Sequence, residues 1–514
     1  MLSRRSALAW LGGGVAATGF GGSVYASEPR TPAFNWAQID EYLDKARRDW
    51  NAPGLAFAIV RDGAPIYAKG FGYANVENRT PVNADTIFNV GSTTKAFTAA
   101  AIAIAVDEGK LAWDTPVREY LPSFRMGGEI GHADDYASVN LRDMMSHRTG
   151  LGRHDLLWYN NKDLTREKLL AHLPYLNTFA PIRSKYEYNN LMVMLSGHAL
   201  EKVVGISWED YVKERIFTPL SMTRSNTSCD EMMAAGNYAN GHRLRNRTDQ
   251  YSIPLRPEDR IGPAGAINSS INDYAKWIAL QLGKGSSNGV RLFSNAQSNT
   301  MWEPSVLSGG VPSSPELSRG FYGLGWRIDT YRGMTRVAHG GNLNGFASRI
   351  TLFPEKNLGF VAFVNLGASP LPGHTTLDVT DMLLGLEPAN WSARGLARRY
   401  AAASNARQSG PVHVSGTATS HLLNAFVGKY NNRGYGDMII SFNDGALSAS
   451  YNEMPMKLEH WHYDVFNVVN LRGEDSDLRN IKFVFATDVE GRISSFTAKM
   501  DETTAPVLFE RVVG

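Results

Sequence analysis

Three short segments of the 514-residue chain carry side chains able to do nucleophilic chemistry. The first is Val90-Gly91-Ser92-Thr93-Thr94-Lys95. Three residues apart on a helix, Ser92 and Lys95 share one face and can meet. A serine hydroxyl is a poor nucleophile until a base takes its proton, and a lysine desolvated by an apolar helix loses part of its preference for the charged form. The helix amino terminus adds N–H groups that favour developing negative charge. The second segment is Tyr186-Glu187-Tyr188-Asn189-Asn190. Its Tyr188 can relay protons if a neighbouring lysine cation lowers its pKa from ~10, and Asn190 can hold a substrate carbonyl. The third is His339-Gly340-Gly341-Asn342. Its glycines let a substrate lie along a strand, and an N–H just past them can complete an oxyanion hole with that of Ser92. His339 can donate to a substrate or tune Tyr188. Each segment alone also has a plainer reading: a helix cap, the end of a loop, a tight turn.

The elements around these segments must hold them. Ala96 to Val106 is nearly all Ala, Ile and Phe and stops at Gly109, which predicts a helix buried on all sides directly after Ser92. A second apolar helix begins at Leu191. Leu55 to Val60 and Pro65 to Tyr67 flank Asp62-Gly63 as a hairpin, and Arg349 to Phe353 reads as a strand behind the His-Gly-Gly segment. Strand-like and helical runs alternate from Pro32 to Asn390, as in α/β or α+β folds. From Ala401 the apolar period disappears into Ala, Ser, Gly and Thr, a linker composition. Beyond it, strands at Asp437 to Phe442, Ala446 to Tyr451, Ile481 to Thr487, Ile493 to Met500 and Pro506 to Val512 predict a small antiparallel sheet or barrel.

In this order the three segments resemble the serine β-lactamase and penicillin-binding-protein superfamily, in its class C-like branch. Leu141 to Leu151, Pro263-Ala264-Gly265-Ala266-Ile267-Asn268-Ser269 and Tyr322-Gly323-Leu324-Gly325-Trp326 extend the resemblance, which covers about residues 35 to 390. It implies an α+β fold: an antiparallel sheet flanked by helices plus an all-helical subdomain, with the active site between them. It further implies Ser92 as the acylated nucleophile, Lys95 with Tyr188 as the pair that moves its proton, and Asn190 as a substrate amide anchor. The N–H groups of Ser92 and Asn342 become the oxyanion hole, with His339, Gly340 and Gly341 beside the substrate. No metal or other cofactor is required. The third segment departs from the β-lactamases of this branch, which have a lysine and a threonine where this chain has His339-Gly340; histidine offers a weaker, pH-dependent charge. That favours a peptidase or D-aminopeptidase-like hydrolase over a β-lactamase or carboxylesterase with the same acyl chemistry, with a penicillin-binding-like protein of little turnover as a further alternative. Ser146-His147 falls in a structural loop of the family. Residues 420–514 resemble a β-domain that can wall off the cleft and restrict substrate size. His460 and His462 within it, at spacing two, read as packed or rim residues in the absence of a third metal ligand.

Composition limits the partners. Lysine and arginine total 52 against 50 acids, and the net charge of +2 lacks the basic field that nucleic-acid binding needs. A small-molecule or peptide substrate fits better. Arg4 and Arg5, the only charged residues among the first 26, account for the excess; ahead of a Gly/Ala-rich run and Val24-Tyr25-Ala26 they form a secretory, twin-arginine-like layout. Export to the periplasm or medium is therefore expected, with no permanent membrane anchor, because the apolar run falls short of the ~20 residues of a span. The sole cysteine, Cys229, excludes an intramolecular disulfide. The expected layout is a signal at 1–26, a hydrolase domain at 33–400, a linker at 401–419 and the β-domain at 420–514.

Overall fold

The computed structural model describes residues 34–127, 136–256, 259–312, 314–405, 413–469 and 481–513. The expected export signal at 1–26 lies outside them, as do residues 406–412 of the expected linker.

Nine strands form one antiparallel sheet, ordered in space Val306–Leu307, Phe321–Tyr322, Arg327–Tyr331, Met334–Leu343, Phe346–Phe353, Leu358–Val364, Gly54–Arg61, Ala64–Asn75 and Thr80–Pro81. The central strands carry apolar residues in both registers because both faces are covered. Leu55, Phe57 and Ile59 face helices Trp36–Asp49 and Leu371–Leu384, while Ala56, Ala58 and Val60 face the interior that holds helices Thr94–Asp107, Asn190–Val204 and Ile271–Leu282. The expected hairpin forms at Asp62-Gly63, with φ of +52° and +77°, the left-handed pair of a two-residue turn. Its second strand runs on to Asn75, well past Tyr67.

The helix after Ser92 spans Thr94–Asp107, and every residue from Thr94 to Ala105 is buried. Gly109 closes it at φ +70°, its N–H donating to the Val106 carbonyl over 2.9 Å. Helix Trp391–Asn405 continues through Ala401-Ala402-Ala403, where a linker was expected; alanine has the strongest helix propensity, so loss of an apolar period does not end a helix on a surface. The far side of that stretch is also held, since Ser420 Oγ donates to Asp464 Oδ2 of the following domain over 2.6 Å.

Eight strands between Gly428 and Arg511 form a closed antiparallel barrel. Strands Gly428–Asn432, Met454–His462 and Val465–Val469 join the five expected ones. The interior is aromatic: Phe426, Tyr430, Phe466, Phe485, Phe496 and Phe509 are buried together, with Phe496 and Phe509 stacked at 4.9 Å. A bulge separates His460 from His462. His460 Nε2 bonds the Tyr463 carbonyl at 2.8 Å. Among the described residues no three His, Cys, Asp or Glu side chains are grouped to hold a metal ion, and no helix is long and apolar enough to cross a membrane.

Candidate active site

Ser92 sits in a single 3₁₀ turn, Gly91–Thr93, that leads into the buried helix. One turn on, Lys95 is completely buried and its Nζ has three oxygen neighbours: Ser92 Oγ at 3.1 Å, Asn190 Oδ1 at 2.7 Å and the Ala264 carbonyl at 2.8 Å. Burial drives the Lys95 pKa well below the ordinary lysine value; the Asp155 charge opposes this and the Arg153 charge adds to it. Both protonation states fit these neighbours. As an ammonium, Lys95 donates to all three oxygens. As a neutral amine its two hydrogens go to Asn190 Oδ1 and the Ala264 carbonyl, both pure acceptors here, and the lone pair is left facing the Ser92 hydroxyl.

Tyr188 lies against this pair. Lys95 Nζ is 4.7 Å and the Arg153 guanidinium carbon 5.3 Å from the centre of its ring. The expected lowering of the phenol does not occur: burial raises the Tyr188 pKa, and the hydrogen bond with Ser92 offsets only part of that rise. The phenol's own burial outweighs the opposing Arg153 and Arg327 charges. Burial thus favours the neutral form of both groups, the phenol of Tyr188 and the amine of Lys95.

Asn190 also differs from a free substrate anchor. Its Oδ1 accepts from Lys95, and its Nδ2 donates to Asp155 Oδ1 over 2.9 Å, so it bridges the lysine to a carboxylate. Asp155 additionally accepts from Trp158 Nε1 at 2.8 Å and from Arg153 Nε. Asp155 and Arg153 carry no motif in the sequence, and the fold alone brings them in.

The third segment splits. Gly91, at φ +53°, and Gly341 let the strand Met334–Leu343 close on the nucleophile turn: a Cβ on Gly91 would lie 3.0 Å from Asn342 N, and one on Gly341 would lie 2.0 Å from the Val90 carbonyl oxygen. The Asn342 main chain thus reaches the Ser92 turn. Gly340 lies on the opposite side, beside Arg349. His339 does not line the cleft. It is buried, its Nδ1–H donates to the Gly340 carbonyl at 2.7 Å, and its Nε2 accepts from the Tyr322 hydroxyl at 2.7 Å. Burial, with the Lys95 and Arg327 charges, drives its pKa well below 6.5 and holds it neutral. Period-two alternation puts His339 on the face of Gly341, its ring 6.3 Å from that of Tyr188, where the Tyr322 hydroxyl and the Gly340 carbonyl engage both ring nitrogens.

His147 is more than a loop residue. Its carbonyl accepts the Glu187 N–H at 2.9 Å, its Nδ1 accepts the Asn189 N–H at 3.1 Å, and its ring packs 4.4 Å from that of Tyr188. It holds the tyrosine from both sides along the chain. Ser92, Asn190 and Asn342 open onto a cleft of about 2150 Å³ whose far wall comes from the barrel, including Lys482, Thr497 and Pro506.

A family profile described as Beta-lactamase matches residues 39–380, most of the chain and all three of the segments that form this site. The chain belongs to the Beta-lactamase family. Residues 413–511 of this Beta-lactamase-family protein match a second profile, Domain of unknown function (DUF3471). Among curated proteins it is 31% identical over 336 residues to "Unguisins hydrolase ungD'" of Aspergillus campestris, covering 64% of this chain and 60% of that one. It is 28% identical over 447 residues to the Aspergillus violaceofuscus "Unguisins hydrolase ungD", covering 79% and 77%. A Staphylococcus aureus "Protein flp" is 25% identical over 351 residues, covering 65% and 64%. The chain therefore spans about 60% of the length of the first of these relatives. The octameric penicillin-binding protein homologue from Pyrococcus abyssi shares its fold, with a TM-score of 0.62 at 22% identity over 93% of this chain and 100% of that one. SurE aligns at a TM-score of 0.55 and 17% identity, covering 93% and 98%.

Proposed function

We propose that this chain is an exported serine hydrolase that forms an acyl-enzyme on Ser92 and cleaves amide or peptide bonds. The observation that carries the reading is the buried Lys95 Nζ 3.1 Å from Ser92 Oγ, with Asn190 Oδ1 and the Ala264 carbonyl placed to take two amine hydrogens and leave a lone pair for the serine proton. Lys95 accepts the serine proton as Oγ bonds to the substrate carbonyl carbon, and the N–H groups of Ser92 and Asn342 receive the oxyanion. The tetrahedral species collapses with loss of the amine, which takes its proton from the Tyr188 hydroxyl; the Lys95 ammonium then reprotonates the phenolate. Water enters by the reverse sequence and releases the acid.

The cleft supports an extended substrate. Its volume of about 2150 Å³ exceeds the ~300–1,000 Å³ of ordinary small-molecule pockets, and a buried, neutral His339 supplies no fixed cation for a β-lactam carboxylate. Two relatives are named as hydrolases of unguisins, which accords with a hydrolase. The test is a substrate panel of D-amino-acid nitroanilides, p-nitrophenyl esters and nitrocefin, together with fluorophosphonate labelling. The nitroanilides are expected to turn over fastest, with the adduct on Ser92 and both activities lost in Ser92→Ala. Undiminished turnover in that variant would refute the reading. Mature N-terminal sequencing of exported protein, with the first 26 residues removed, tests the export part.

A further inference from the structure

We propose that the C-terminal barrel is a positioning module for the active site, fixing through His154 the loop that sets Asp155 against Asn190 and Arg153 against Tyr188. The inference rests on the acyl-enzyme reading above and assigns the barrel a task separate from lining the cleft.

Residues 152–160 leave the sheet domain as a loop with a single 3₁₀ turn at Asp155–Leu157. Three consecutive residues divide between two duties. Arg153 and Asp155 turn into the active site, where Asp155 holds the Asn190 amide and Arg153 lies over Tyr188. His154, between them, turns the other way and is completely buried against the barrel. It adopts a left-handed φ of +48°, a conformation that a non-glycine residue keeps only when its surroundings enforce it.

Three groups enforce it. The His154 N–H donates to Asp501 Oδ2 over 2.7 Å. Its Nε2 lies 2.7 Å from the Asn177 carbonyl, which can only accept, so Nε2 carries the hydrogen. Nδ1 is thereby an acceptor, and the Tyr435 hydroxyl donates to it over 2.7 Å. Asp501 and Tyr435 both belong to the barrel, on separate loops, and each is fixed there. Asp501 Oδ1 accepts from the N–H and hydroxyl of Thr503, and the Tyr435 N–H donates to Asn432 Oδ1 over 2.9 Å. A second seam holds the far end of the loop. Asn452 Nδ2 donates to the carbonyls of Leu156 and Tyr159, each over 3.2 Å, and the Asn452 carbonyl accepts from Asn160 Nδ2 over 2.6 Å. At the near end Gly152 packs so closely that a Cβ there would lie 2.5 Å from Thr504 Cγ2.

A surface loop of this length without such anchors samples many conformations, and ordering it costs about 1–2 kcal/mol per residue in backbone entropy. The barrel provides fixed donors and acceptors that hold one of them. The Asp155 carboxylate opposes the desolvation of Lys95, and the clamp on His154 fixes the main chain that carries it.

The experiment uses the full chain and needs no knowledge of the substrate. The second-order rate at which a fluorophosphonate modifies Ser92 is measured against pH for wild type, Asp501→Ala, Asp501→Asn, Tyr435→Phe and an exposed barrel control that makes none of these contacts, Asp437→Ala. Asp501→Ala is expected to label about tenfold more slowly, the cost of one buried charge-assisted hydrogen bond, and Tyr435→Phe about threefold. Loosening Asp155 moves the acid limb of the rate profile to lower pH, because Lys95 loses the charge that most favours its protonated form. Asp501→Asn retains an oxygen to accept the His154 N–H and is expected to restore most of the rate. Asp437→Ala labels as wild type. Wild-type rate and profile in Asp501→Ala overturn the inference, as does a loss that Asp437→Ala shares. If Asp501→Ala does not fold, Tyr435→Phe decides, since it removes one hydroxyl only. Failure of wild type itself to label at Ser92 overturns the acyl-enzyme reading instead.

Discussion

Asn190 donates its Nδ2–H to Asp155 Oδ1 across 2.9 Å. The bond joins an amide at the mouth of a buried helix to a carboxylate on a loop 35 residues earlier, and it orients the amide oxygen toward Lys95. Asp155→Ala is expected to slow Ser92 labelling by about tenfold to a hundredfold, because a hydrogen bond to a charged partner contributes ~1.5–3 kcal/mol and Asn190 is then free to rotate away from Lys95. Asp155→Asn keeps an acceptor and loses the charge, so its deficit is smaller. Labelling rates for the two variants, with thermal unfolding to show intact folds, make the comparison.

The base in this site is an amine whose neutral form is favoured by burial. Activity therefore rises as pH climbs through the Lys95 pKa, and that limb falls well below the 10.5 of an ordinary lysine. Tyr188→Phe removes the proton donor to the leaving amine but not the base. It is expected to cut turnover by about 10²-fold or more while leaving the acid limb in place. A pH profile of turnover for both proteins tests this, and a limb that vanishes with Tyr188 counts against Lys95.

Glu187 borders the cleft half-buried, and burial together with the Asp501 charge pushes its carboxyl up to about 7, with Arg153 opposing. A carboxyl raised in the folded state binds more protons folded than unfolded between 4.5 and about 7, so stability falls as pH rises through that window. Glu187→Gln is expected to match wild type in melting temperature below the window and exceed it above. Melting curves at the two extremes check the sign, and a variant less stable at alkaline pH contradicts it.

Gly341 meets the Val90 carbonyl where a Cβ would lie at 2.0 Å. Gly341→Ala must push the strand Met334–Leu343 off the nucleophile turn. Overpacking of this kind costs about 1–3 kcal/mol and also displaces Asn342 N from Ser92. A lowered melting temperature with a larger proportional loss of labelling is expected. By contrast, His339→Gln, at a buried position beside Tyr188, is expected to leave the pH profile of labelling unchanged near 6.5, since burial pushes the His339 pKa well below that value.

The local chemistry was legible along the chain. Ser92 and Lys95 are a helical turn apart, and the run Ala96 to Val106 has no polar face, so a buried lysine beside a serine followed from periodicity alone. The Asp62-Gly63 turn and the barrel's strand-turn-strand runs followed likewise, because backbone handedness and alternation are written in adjacent residues. The barrel strand Met454–His462 was less visible: Met454, Met456 and Leu458 alternate inward, but Pro455 and the bulge between His460 and His462 break up the signal.

What tertiary structure decided is the electrostatic state and the partners of each group. Whether Lys95 lowers Tyr188 or burial raises it depends on a desolvation set by helices distant in sequence, and burial wins. His339 reads as a cleft residue until the sheet turns its ring inward onto Tyr322. Asp155 and Arg153 have no motif at all; they enter because His154 between them is held by Asp501 and Tyr435, residues 280 and more positions away. Spacing in a chain fixes neighbours within a turn or a hairpin. Side chains brought together by packing two domains have no local signature, and only the folded chain could reveal them.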